Sequence, residues 1–137
     1  MPKFYCDVNV NRLAKYLRFA GFDVMTRKEL SKQKIEHICD KERRVFITRS
    51  KQKDINTFKS IEILTSNDVF EQLHDILKRY KIIPENIGSR CILCNVKLRS
   101  VTDTEKKYCP RCGRHYHKGN HYYEMMDKIG QEAHRTR

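Results

Sequence analysis

Apolar and polar residues alternate between two spacings over the first eighty positions. "KFYCDV" (3–8) is short, rich in strand formers and ends in an aspartate, which predicts a β-strand. In "VNRLAKYLRFAG", Val10, Leu13, Ala14, Leu17 and Ala20 recur at helical spacing, while Arg12, Lys15 and Arg18 lie off that face. Gly21 stands where such a helix stops. "FDVMT" (22–26), "RVFITR" (44–49) and "IEILT" (61–65) read as three further short strands. Residues 31–43 read as an amphipathic helix, with Ser31 its N-cap and Ile35, Ile38 and Cys39 facing inward. Residues 66–80 read as a third helix, capped by Ser66 or Asn67, with an apolar stripe of Val69, Phe70, Leu73, Ile76, Leu77 and Tyr80. Strands separated by helices imply parallel pairing with right-handed crossovers. Residues 1–87 are therefore expected to form a three-layer α/β unit with four short parallel strands, and "KIIPENIGS" (81–89) a linker.

The pattern changes after residue 88. Cys91 and Cys94 form one CxxC pair and Cys109 and Cys112 another, with fourteen residues between them. Two such turns can converge four thiolates on one ion, which is the zinc-ribbon spacing. A disulfide framework needs an oxidising compartment, and a thioredoxin-like redox site uses one CxxC at a helix start; both fit less well. With four protein ligands the ion has no open position and is structural, and metal binding supplies much of the stability of so small a module. Residues 88–137 are read as this ribbon followed by a basic tail. Cys6 and Cys39 fall on apolar positions and read as small core residues.

Charge adds the next constraint. The chain of 137 residues carries a formal +12, with 39% hydrophobic and 34% charged residues. That excess is above the roughly 2–8 of a typical small domain and draws polyanions, of which nucleic acid is the commonest in a cell. Residues 27–53 hold ten basic and four acidic side chains, the whole imbalance of the first unit. In "RHYHKGNHYYE" cations alternate with flat rings, a combination suited to phosphates and unpaired bases. No apolar stretch approaches the roughly 20 residues of a membrane span, and "MPKFYCDVNV" has no signal-peptide core. A cytoplasmic protein with RNA as partner, no membrane and no small-molecule substrate is expected.

Taken in order, "CDVNVNRLAKYLRFAGFDV", "RVFITRS", "ILTSND" and "YCPRCGRHYHKGNHYYEM" resemble the Mut-seven C-terminal ribonuclease domain family, a PIN-like nuclease fold followed by a zinc ribbon. The resemblance spans residues 3 to about 126. It implies a four- or five-stranded parallel sheet whose strand ends carry acidic residues that bind magnesium or manganese for RNA cleavage. Asp7 matches the first of those aspartates and Asp68 a late acidic position. The acidic pair that opens the family's second helix falls on Lys32, Gln33 and Lys34, leaving Glu36 or Glu29 as substitutes. The threonine-arginine-aspartate strand end reads Thr48, Arg49, Ser50, followed by Lys51, with Asp54 a distant stand-in. Each lost carboxylate removes a ligand and a negative charge from a hard-cation site, whereas lysine in its place suits phosphate.

The resulting expectation is an RNA-binding protein of ribonuclease descent with a degenerate acidic site, docked on structured RNA such as ribosomal RNA. Its contacts would come from Arg12, Lys15 and Arg18, from Arg27, Lys28, Lys32, Lys34, Arg49, Lys51 and Lys53, and from Arg111, Arg114, Tyr116 and Lys118. The alternative is an active magnesium- or manganese-dependent endoribonuclease using Asp7, Asp68 and Glu36 (or Glu29 or Asp54 in its place). A third class is a ribbon-based adaptor for acidic proteins.

Overall fold

The structure is a computed structural model that describes residues 1–27, 29–49 and 57–135. Strand β1 (Lys3–Cys6) leads through a 3-10 turn, Val8–Val10, into helix α1 (Asn11–Phe19). Strand β2 (Asp23–Met25), helix α2 (Lys32–Glu42), strands β3 (Arg44–Thr48) and β4 (Ile61–Ile63), and helix α3 (Val69–Leu77) follow. All four strands pair in parallel, in the order β2-β1-β3-β4. The α/β class read from the sequence is therefore the observed one.

The pleat divides the core in two. Phe4, Cys6 and Ile47 pack with Leu13, Leu17, Leu73 and Ile76 on the side of α1 and α3. Tyr5 and Phe46 point the other way, to Cys39 and Phe58 on the side of α2, as a two-residue period requires. Phe46 and Phe58 stack at 4.1 Å between ring centroids. Ser31 caps α2 as expected, accepting from the Lys34 N–H. The cap of α3 is Asp68, which accepts from the Phe70 N–H at 3.0 Å, whereas Ser66 accepts from the Asp68 N–H one step earlier. Residues 66–68 thus form a polar staircase into the helix, and α3 starts at Val69, the first residue of the apolar stripe, one or two residues beyond the start that a Ser66 or Asn67 cap implies.

Beyond a 3-10 turn at Pro84–Asn86, three two-residue strands form an antiparallel sheet in the order β5 (Arg99–Ser100), β6 (Lys107–Tyr108), β7 (His115–Tyr116). After the ribbon strands comes helix α4 (Asn120–His134), which returns to the first unit. Met125 and Ile129 of α4 and Ile92 of the ribbon join the core cluster that contains Leu73. The buried His74 ring meets the Glu132 carbonyl at 2.9 Å, and Arg135 grips Glu71 through two bonds of 2.8 and 2.9 Å. One core cluster thus includes residues from both sides of residue 88.

Candidate metal centre and nucleic-acid interface

Two knuckles of matching backbone geometry present the cysteines. The Cys91 N–H donates to the Val96 carbonyl and the Cys109 N–H to the Arg114 carbonyl, both at 2.9 Å. Each loop is closed in return, Asn95 N–H to Cys91 and Gly113 N–H to Cys109, again at 2.9 Å. The closing residue must adopt left-handed backbone, and Asn95 (φ 70°) and Gly113 (φ 79°) both do, being the residue types that reach it at least cost. The amides of Cys94 and Cys112 point at the sulfurs of Cys91 and Cys109, each at 3.4 Å.

All four sulfurs lie within 4.8 Å of one another, and Cys91 and Cys112 are 3.8 Å apart. A tetrahedron with metal–sulfur bonds of about 2.3 Å has edges of about 3.8 Å, so this donor set fits a metal ion such as zinc. Burial by itself would raise the Cys91 thiol, but the Tyr116 hydroxyl, donating at 3.1 Å, and the Cys94 and Leu93 amides outweigh it and lower the pKa to about 7. The same hydroxyl accepts from the Ile92 N–H at 3.1 Å. Cys6 and Cys39 stay apart from this chemistry, buried and pushed up to about 12 by desolvation.

The first knuckle is seated on the edge of the parallel sheet. Asn95 accepts from the Val24 N–H at 2.9 Å and donates to Asp23 at 2.7 Å. Arg18 completes the seat and is not a surface cation: it is 5% exposed. Its guanidinium donates to the carbonyls of Val24 (2.8 Å), Ile92 (2.9 Å) and Leu93 (3.4 Å) and to Thr26 Oγ1. The expectation that Arg18 meets RNA is corrected accordingly. The sequence signal for Asn95 is positional: it holds the place in "CILCN" that Gly113 holds in "CPRCG".

Parallel topology gathers the strand carboxyl ends and the helix starts at one rim. Asp7 follows β1 there, accepting from Thr48 Oγ1 and the Val8 N–H, each at 2.8 Å. Asp68 caps α3 at the exposed surface. Glu36 pairs with Lys32 at 2.5 Å and accepts from Thr57 at 2.6 Å, contacts that hold its carboxyl below the ordinary range. These three carboxylates do not converge: among the described residues, the four cysteines are the single group of three or more metal-ligating side chains gathered at such distances. Glu29 is exposed, and Asp54 lies outside the described residues.

The cations of that rim are placed differently. Arg27 follows β2, Arg49 follows β3, Arg12 opens α1, and Lys32 and Lys34 lie in the first turn of α2. No acidic residue balances the first turn of α1 or α2, so these side chains add to the positive helix ends instead of neutralising them. Arg12, Arg27, Lys34 and Arg49 are exposed, and Lys15 and Lys32 are half-buried. Lys28, Lys51 and Lys53 lie outside the described residues. On the ribbon, Arg111, Arg114 and Lys118 are exposed. Tyr116 is half-buried, its hydroxyl spent on Cys91 and its ring beside Arg114.

A parallel α/β sheet with a cationic rim, followed by a four-cysteine ribbon, defines the class of protein. The chain belongs to the Mut7-C RNAse domain family, whose family model matches residues 2–129. That membership carries a ribonuclease-like or RNA-binding role. Comparison with curated proteins and with solved structures returns no match. Among the described residues no helix is long and apolar enough to cross a membrane.

Proposed function

We propose that this protein binds structured RNA, ribosomal RNA being the candidate, and that it is a catalytically impaired member of its family. The observation that carries this reading is the use made of the three candidate carboxylates. Asp7 and Asp68 are spent on capping backbone N–H groups, Asp7 also on Thr48, and Glu36 on an ion pair with Lys32. A hard cation needs several carboxylates pointed at one place, and Arg12, Arg27, Lys34 and Arg49 stand at the same rim. Zinc is the metal we assign to the cysteines, bracing the ribbon that supplies the second set of cations.

The endoribonuclease reading rests on Asp7, which follows the carboxyl end of a central strand where ligands of parallel sheets gather. Incubating structured and single-stranded RNA with the zinc-loaded protein in magnesium or manganese separates the two readings. Binding without cleavage is expected. Metal-dependent cutting that disappears in Asp7→Asn would make the protein an enzyme and reverse the assignment. Sequencing RNA crosslinked to the protein in cells tests the ribosomal partner.

A further inference from the structure

Resting on the RNA-binding reading above, we propose that the groove between the ribbon and the start of α4 seats one unpaired nucleotide of an RNA strand. The groove has a volume of about 470 Å³, within the roughly 300–1,000 Å³ of ligand clefts. Tyr116, at the end of β7, and Tyr122, in the first turn of α4, both line it.

Both rings are already held in place by contacts within the protein. The Tyr116 hydroxyl is fixed between Cys91 and Ile92. Tyr122 packs edge-on against Phe19 at 5.3 Å, and it lies so close over Gly88 that a Cβ there would come within 3.1 Å of the ring. Rings already fixed lose little freedom when a base stacks on them. Each has a cation beside it: the Arg114 guanidinium lies 5.7 Å from the Tyr116 centroid, and the Lys118 ammonium 5.9 Å from that of Tyr122.

Charge favours an anion. Four lysines and arginines line the groove against two carboxylates, Glu85 and Glu105. Among the described residues no carboxylate forms an ion pair with Arg114, Lys118 or the lining Lys107. Flat rings flanked by uncompensated cations match a base joined to a phosphate. An acidic peptide offers the charge without the flat face, and a duplex keeps its bases stacked inside. Tyr123, 55% exposed and edge-on to Tyr122 at 5.3 Å, gives a neighbouring base a further surface outside the groove, which favours a strand over a free mononucleotide.

The test uses the full zinc-loaded chain, a fluorescent oligouridylate, a hairpin duplex of the same length and AMP as competitor. The single strand is expected to bind about tenfold more tightly than the hairpin, since only it offers bases for stacking. The double variant Arg114→Gln/Lys118→Gln, checked for unchanged zinc content and Tm, should weaken single-strand binding about tenfold. It should also lower the salt slope by about 1.4, at about 0.7 per phosphate contact. A strand carrying 4-thiouridine should crosslink to the peptide containing residues 114–123. Undiminished single-strand binding by the variant, equal affinity for the hairpin, or crosslinks confined to other peptides would each overturn the site. Displacement by AMP as effective as by the strand itself would overturn the strand as its occupant. Failure of the wild type to bind either RNA would instead remove the RNA-binding reading on which the site depends.

Discussion

The guanidinium of Arg18, in the last turn of α1, donates at 2.9 Å to the carbonyl of Ile92, the residue after the first ribbon cysteine. The same group holds Val24 on the sheet edge and Leu93 in the knuckle. A cation so enclosed fixes how the ribbon meets the sheet. Removing it strands the two buried carbonyls of Val24 and Ile92, and a buried acceptor without its donor costs about 1–3 kcal/mol.

Arg18→Met should therefore lower the free energy of unfolding by about 2–4 kcal/mol, read as a reduced midpoint in urea with metal present. Its RNA salt slope, measured where the variant stays folded, should match that of the wild type. Arg12→Gln should do the reverse, leaving the midpoint in place and reducing the slope by about 0.7–0.9. A reduced slope in Arg18→Met with unchanged stability would return Arg18 to the surface role its position in the sequence indicates.

That exchange of roles shows where local pattern stops being informative. Leu13, Ala14 and Leu17 announce the buried face of α1 by their spacing, and all three are buried. Arg18 falls off that stripe, and its burial depends on a carbonyl 74 residues away, which no local window contains. The metal ligands were legible because two CxxC pairs carry their own geometry. Helix α4 was legible in principle, since Met125, Met126, Ile129 and Ala133 repeat at helical spacing, and all pack on the core. The aromatic and basic run of residues 114–124, whose last five residues open α4, masks that period at its start. The carboxylates carry a double meaning for a different reason: Asp7 and Asp68 occupy element ends where ligands of a parallel sheet gather, and an aspartate there also caps a backbone turn.

Loss of the metal should be felt beyond the ribbon. Asn95 closes the first knuckle and also binds the Val24 N–H of β2, so opening the knuckle frees that edge. Chelation should raise hydrogen exchange at Val24 together with Cys91 and Cys109, while the amides of Leu73 and Ile76 in α3 stay protected. Exchange rising in the ribbon alone would mean that the seat on β2 survives without metal.

Asp23 links this seat to pH. Burial on its own would raise its pKa, but bonds from Arg44 (2.9 Å) and Asn95 (2.7 Å) outweigh that and hold the carboxyl below its ordinary 3.8. A depressed folded pKa contributes stability that is present above the unfolded value and is lost as pH falls through the folded one. The Tm of the wild type should thus fall more steeply below the ordinary aspartate value than that of Asp23→Asn. Thiolate protonation and metal loss act on both proteins alike, so the difference between the curves isolates Asp23. Parallel curves would show that the Arg44 and Asn95 contacts do not favour the ionised form.

The matching knuckles allow a reciprocal test of what Asn95 contributes. Glycine at 95 keeps the left-handed turn but gives up both side-chain bonds to β2, so Asn95→Gly should lower stability by about 1–2 kcal/mol. Gly113→Asn places the same residue type where a Cβ meets nothing within 4 Å, and it should cost less than about 1 kcal/mol because asparagine tolerates this backbone. Gly113→Val has the same open space but a β-branched side chain at positive φ, and should cost more than Gly113→Asn. Urea unfolding of the metal-loaded proteins ranks the three. If Asn95→Gly matched the wild type while Gly113→Val did not, turn geometry alone would govern the first knuckle, and its seat on β2 would contribute nothing to stability.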